Sequence, residues 1–117
     1  MSETDELYST VNYIKNKVDT LLKIDILRMQ ADSALKQKLE DILKNDHILL
    51  AIYKVIDGNK MQKEIAQEIG TNEVMVSRKI KILEDAGLVE LVSSNGLNKN
   101  VYAHTVVERA YRFVRYL

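Results

Sequence analysis

The first 57 residues contain neither glycine nor proline, and their apolar positions recur at helical spacing. Leu7, Val11, Ile14, Val18 and Leu21 alternate steps of four and three, the a/d seam of a helix over two heptads. The seam then drifts to Leu22, Ile26 and Met29, as the stripe of a straight helix does. Around Gln30-Ala31-Asp32-Ser33 the pattern lapses, and Asp32 or Ser33 is placed to cap a new helix. Leu35, Leu39, Ile42 and Leu43 form its stripe, and Asn45-Asp46 offers a further cap before the apolar run from Ile48 to Ile56.

Punctuation becomes denser from Gly58 onward. Gly58-Asn59 closes the third helix, and 62–69 reads as a short helix with Ile65, Ala66 and Ile69 on one side. Gly70-Thr71-Asn72 is a tight turn, and 73–86 is a helix ending at Gly87. Residues 88–92 and 101–104 look like strands, joined by a segment with the Asn95-Gly96 turn signal. Thr105 to Glu108 has the capping-box spacing, which predicts a final helix from Val106 to near Leu117. The fold class expected is mainly α with a small β-hairpin.

Within this order, 61–89 (MQKEIAQEIGTNEVMVSRKIKILEDAGLV) resembles the winged helix-turn-helix of the MarR and ArsR regulator families. The resemblance covers 47 to about 105 and leaves the first 46 residues unmatched. Its most specific parts are the helix-turn-helix and the exit Leu83-Glu84-Asp85-Ala86-Gly87-Leu88-Val89 into the wing. Local chemistry agrees. Ala66 is small enough for two helices to approach across the turn, Gly70 accepts a left-handed backbone, and Asn72 can cap the next helix. Val76, Ile80 and Leu83 form the buried stripe of that helix, and Glu73, Val74, Ser77, Arg78 and Lys81 fall mostly on the opposite side.

The outward face carries two cations, a hydroxyl and a carboxylate, groups that suit groove edges and phosphates. Arg78 is assigned a bidentate guanine contact or a phosphate clamp. Ser77 and Asn72 are assigned bases or phosphates, Val74 a thymine methyl, and Lys79 and Lys81 the DNA backbone. The resemblance implies phosphate anchors at Gln62 and Lys63. Asn95, Asn98 and Lys99 at the wing tip are expected on the adjacent minor groove or backbone. Two acidic groups, Glu68 and Glu73, lie near this side, and Lys79 stands where many such motifs bury an apolar residue.

The organisation expected is a helical extension over 1–46, a winged domain over 47–105 and a carboxy-terminal helix over 106–117. An exposed a/d stripe is costly in water, since burying five such residues contributes several kcal/mol at roughly 25 cal/mol per Å². It packs on its own chain or on a partner. The terminal helices resemble the dimerising elements of MarR-type proteins, so Leu7, Val11, Ile14, Val18, Leu21, Val114 and Leu117 are assigned to a homodimer interface. A two-fold dimer sets paired recognition helices about 34 Å apart, one DNA turn.

Composition narrows the chemistry. Seventeen basic and seventeen acidic residues cancel, which is unlike a nonspecific nucleic-acid coat. The imbalance is local: 1–46 holds seven basic and nine acidic residues, and 47–117 holds ten and eight. With no cysteine, disulfides, thiolate metal sites and cysteine nucleophiles are excluded. His47 and His104 lack ligand spacing and are read as structural or solvated, so no metal site is expected. The four glycines form no phosphate loop, and no carboxylate pair has a catalytic setting. The six tyrosines read as core and interface residues, so neither an enzyme nor a cofactor is expected. The acidic start lacks the order of a secretory signal, and no run reaches the roughly 18–20 apolar residues of a membrane span. The expectation is a cytoplasmic protein, nucleoid-associated when bound to DNA. A DNA-binding transcriptional regulator heads the functional readings. The alternative is a winged-helix protein-docking or chromosome-architectural factor built on a coiled coil. Neither reading fixes a small-molecule effector.

Overall fold

Three aspartates punctuate the helical half of the chain. The computed structural model describes residues 3–94 and 99–117, with side chains from residue 6 onward. Helix α1 runs over Glu3–Ala31. Asp32 then accepts a hydrogen bond from the Leu35 N–H at 2.9 Å and starts α2, Ser33–Lys44. Asp46 accepts from the N–H groups of Ile48 and Leu49, both at 3.1 Å, and starts α3, His47–Val55. Asp57 turns the chain after α3 by accepting from Asn59 and Lys60. Each carboxylate satisfies donors that the backbone would otherwise leave unpaired.

Beyond the turn come α4, Gln62–Ile69, and α5, Glu73–Asp85. Strands β1, Val89–Ser94, and β2, Asn100–His104, pair antiparallel, with Val89 opposite His104 and Leu91 opposite Tyr102. The register slips between Leu91 and Ser93, so Val92 is the extra residue of a bulge. A single bridge from Met61 to Val101 ties the entry of α4 to the hairpin.

One apolar cluster holds these elements together. Tyr53, Ile52 and Leu49 of α3 meet Ile65 and Ala66 of α4, Val76, Ile80 and Leu83 of α5, and Leu88 before the hairpin. Leu39 and Leu43 of α2 join the same cluster, so the core begins on the amino-terminal side of residue 47. His104 is structural: its Nε2 lies 2.6 Å from the Tyr53 carbonyl, and its ring packs against the Tyr53 ring, tilted by 55° with centroids 4.4 Å apart. His47 is exposed at the start of α3.

The final helix departs from expectation. It divides into α6, Val106–Tyr111, and α7, Phe113–Tyr116, at Arg112, which takes a left-handed φ of 54°. The break turns Phe113 into the core at 1 % exposure. Burial of an aromatic ring outweighs the roughly 1–2 kcal/mol that the left-handed backbone costs. The expected capping box is also absent. Thr105 caps α6 and donates to the Gly87 carbonyl at 2.7 Å, but Glu108 does not fold back to it. Its carboxylate instead accepts from the Tyr53 hydroxyl at 3.2 Å and from the Val114 N–H at 2.7 Å, which pins the break.

The inner half of α1 lies against α6. The Tyr111 hydroxyl donates to the Met29 carbonyl at 2.5 Å and Gln30 donates to the Ala110 carbonyl at 3.3 Å. Among the described residues the outer half is bare: Leu7, Val11, Ile14, Val18 and Leu21 are all more than half exposed. No described helix is long and apolar enough to cross a membrane.

Candidate nucleic-acid interface

The turn between α4 and α5 takes its shape from two residues. Gly70 ends α4 with φ +75°, a backbone that a β-carbon resists. Asn72, itself exposed, then accepts from the Met75 N–H at 2.8 Å and starts α5, which occupies its side-chain oxygen. Val76, Ile80 and Leu83 are at most 1 % exposed, so α5 is locked in rotation. The opposite face is thereby presented to solvent. Ser77, Arg78 and Lys81 are exposed, and Val74 is 61 % exposed. Glu73, Val74, Ser77 and Arg78 surround a shallow depression of about 260 Å³.

The ion pairs among the described residues leave this face its charge. They are Lys44–Glu40, Lys60–Asp57, Lys60–Glu68 and Lys79–Asp46, and none uses Arg78 or Lys81. Glu68, one of the two acidic groups near this side, is neutralised by Lys60 at 2.8 Å. That carboxylate in turn holds the Lys60 ammonium above its ordinary value. Glu73 is half-buried in the first turn of α5, where a negative charge favours the helix N-terminus.

Two expected contacts are corrected. Gln62 is the first residue of α4 and only 7 % exposed, so its side chain is covered rather than displayed as a phosphate anchor; Lys63 beside it is exposed. Lys79 is half-buried and its ammonium binds Asp46, the cap of α3. The signal for this was its place on the inner side of α5: a lysine there needs a carboxylate, and Asp46 is the one α3 offers. Lys99 is exposed just before β2. Asn95 and Asn98 lie outside the described residues.

With this geometry in hand, the chain resembles a solved structure of MarR from Staphylococcus aureus, in complex with salicylate and kanamycin. The TM-score is 0.51 at 12 % identity, over 98 % of this chain and 75 % of that one. The fold is MarR-like. No family model matches the sequence, and no curated protein matches it. At this identity the likeness is one of architecture, and in the MarR-like frame α5 is the second helix of the helix-turn-helix and β1–β2 is the wing.

Sequence reasoning missed one role of each of three residues. Besides capping α3, Asp46 holds Lys79; Glu108 locks the break at Arg112 instead of closing a capping box; and Lys60 neutralises Glu68. The Asp46–Lys79 pair joins residues 33 apart, a distance that no local spacing reveals. Among the described residues no group of three or more His, Asp or Glu is placed to hold a metal ion.

Proposed function

We propose that this chain is a homodimeric, sequence-specific double-stranded-DNA-binding transcriptional regulator. The observation that carries the reading is the outward face of α5, where Ser77, Arg78 and Lys81 are exposed and the two cations lack intramolecular ion pairs among the described residues. In this reading α5 enters the major groove. Arg78 contacts a guanine edge, Val74 a thymine methyl, and Ser77 with the Asn72 amide a base or phosphate. Lys81 and Lys63 meet phosphates, and the wing, with Lys99 and the turn carrying Asn95 and Asn98, follows the adjacent backbone or minor groove.

Dimerisation is supported by the bare stripe on α1, from Leu7 at 67 % to Val11 at 55 % exposed. Val114 is 38 % exposed and extends the same requirement to the carboxy terminus, while Leu117 packs partly on its own core. A two-fold pair places two α5 helices about one DNA turn apart, on a pseudo-palindromic site.

The test is a site-selection experiment followed by binding to the selected and to random duplexes. Arg78→Ala is expected to cost about 1–3 kcal/mol on the selected site and relax preference at one position per half-site. An equal loss on random DNA reduces Arg78 to a phosphate contact. No enrichment of any site by the wild-type dimer overturns sequence-specific binding.

A further inference from the structure

Arg112 stands in a left-handed conformation, φ 54° and ψ 47°, that residues with a β-carbon rarely adopt. Such a residue persists only where its surroundings over-determine it, and positions of this kind recur in switch segments. Two side chains supply the constraint. In an unbroken helix the Val114 N–H donates to the Ala110 carbonyl, four residues back. Here each of these natural partners is captured separately. Val114 donates to the Glu108 carboxylate at 2.7 Å, and the Ala110 carbonyl accepts from Gln30 of α1 at 3.3 Å. Both backbone groups are therefore satisfied whether the helix is broken or whole.

The break also exchanges two apolar neighbours. Val107, Ala110, Val114 and Leu117 step by three, four and three, so a continuous helix sets them on one face. In that helix Phe113 stands about 100° round from Val114, on the flank. The broken form reverses their places: Phe113 is 1 % exposed and Val114 is 38 % exposed. Residues 109–115 contain no glycine or proline, so nothing local stops a helix there. The constraint is also within reach of solvent. Gln30, Glu108, Arg112 and Val114 all line one open groove of about 590 Å³ between α1 and the α6–α7 segment. Only the Phe113 ring, 5.4 Å from that of Tyr111, is sealed in the core.

We propose that 106–117 is a two-state joint between α1 and the winged body. In the form described, Phe113 is seated and Glu108 with Gln30 latches the break. In the other form Arg112 turns right-handed, Val114 pairs with Ala110 and takes the inward place, Phe113 withdraws, and Gln30 is released. Tyr111 precedes the break and keeps its bond to Met29, so α1 stays attached by one tie fewer. The groove wall that carries Arg112, Val114 and Arg115 is rebuilt at the same time. The joint thus couples the shape of the groove to the hold on α1, and anything that favours one form shifts both together. It does not depend on the DNA-binding reading.

The test is nuclear magnetic resonance of the full labelled chain, reading the Arg112 Cα shift and relaxation dispersion at Gln30 and residues 109–116. In the wild type the Arg112 shift is expected at a left-handed value, with one shared exchange process across these residues. Glu108→Ala is expected to raise the continuous population roughly tenfold, and Gln30→Ala, which removes a neutral bond, about threefold. Glu108→Gln keeps an acceptor for Val114 and stays near the wild type. Adding Arg112→Gly to Glu108→Ala is expected to restore the broken form, because glycine favours the left-handed backbone and disfavours the helix. A merely structural Glu108 gives no such rescue. If Glu108→Ala does not fold, Gln30→Ala alone decides. A left-handed Arg112 shift without exchange at 109–116 in the folded variants overturns the joint. Exchange at 109–116 that Gln30 does not share overturns its coupling to α1.

Discussion

Replacing Asp46 by alanine removes two supports of α5 and α3 in one step. One carboxylate oxygen accepts from the N–H groups of Ile48 and Leu49 at 3.1 Å, and the other holds the Lys79 ammonium. Loss of a helix cap costs about 1 kcal/mol. The ion pair is partly shielded, its side chains 21 % and 28 % exposed, and contributes roughly another 1 kcal/mol. Asp46→Ala should therefore lose about 2 kcal/mol, and Asp46→Asn, which keeps a capping oxygen, about 1 kcal/mol. In a domain of this size the alanine change corresponds to a fall in Tm of roughly 6–12 °C. Urea unfolding followed by circular dichroism, at one protein concentration throughout, measures both values. The Lys79 hydrogen bond, then the Leu49 N–H, hold the Asp46 carboxyl below its usual 3.8. A depressed folded value means stability that is fully present above 3.8 and lost as pH falls through the folded value. Wild type and Asp46→Asn should thus differ at neutral pH and converge in strong acid. A cost for Asp46→Ala under about 0.5 kcal/mol, or a gap to Asp46→Asn that persists into strong acid, refutes the assignment.

The same geometry separates two neighbouring lysines on α5. Lys79→Met should leave the salt dependence of DNA binding unchanged, whereas Lys81→Ala should lower its slope by about one, measured by anisotropy titrations at several salt concentrations. Arg112→Gly relieves a left-handed residue that bears a β-carbon, and should raise stability by about 0.5–1 kcal/mol in urea unfolding. Val18→Glu places a charge on the bare stripe of α1 and should give a monomer in sedimentation. Its winged body should keep the wild-type circular dichroism, because that side chain touches no part of the core.

Local sequence determined the order of elements because the signals involved act within a few residues. Asp32, Asp46 and Asn72 start helices through bonds to backbone N–H groups two or three residues ahead, and Gly70 ends one by its own backbone freedom. The three-four spacing of Val76, Ile80 and Leu83 fixed which side of α5 turns inward, and with it which side displays Arg78. Tertiary packing decided what spacing cannot express. The break at Arg112 exists because Phe113 finds a place in the core and Glu108 accepts from Val114, which the helical pattern of 106–117 does not announce. Gln62 is covered, and Lys79 is spent on Asp46, 33 residues earlier in the chain. A charged or polar side chain is available to a ligand only if the fold brings nothing closer to satisfy it, and that condition depends on residues remote in sequence.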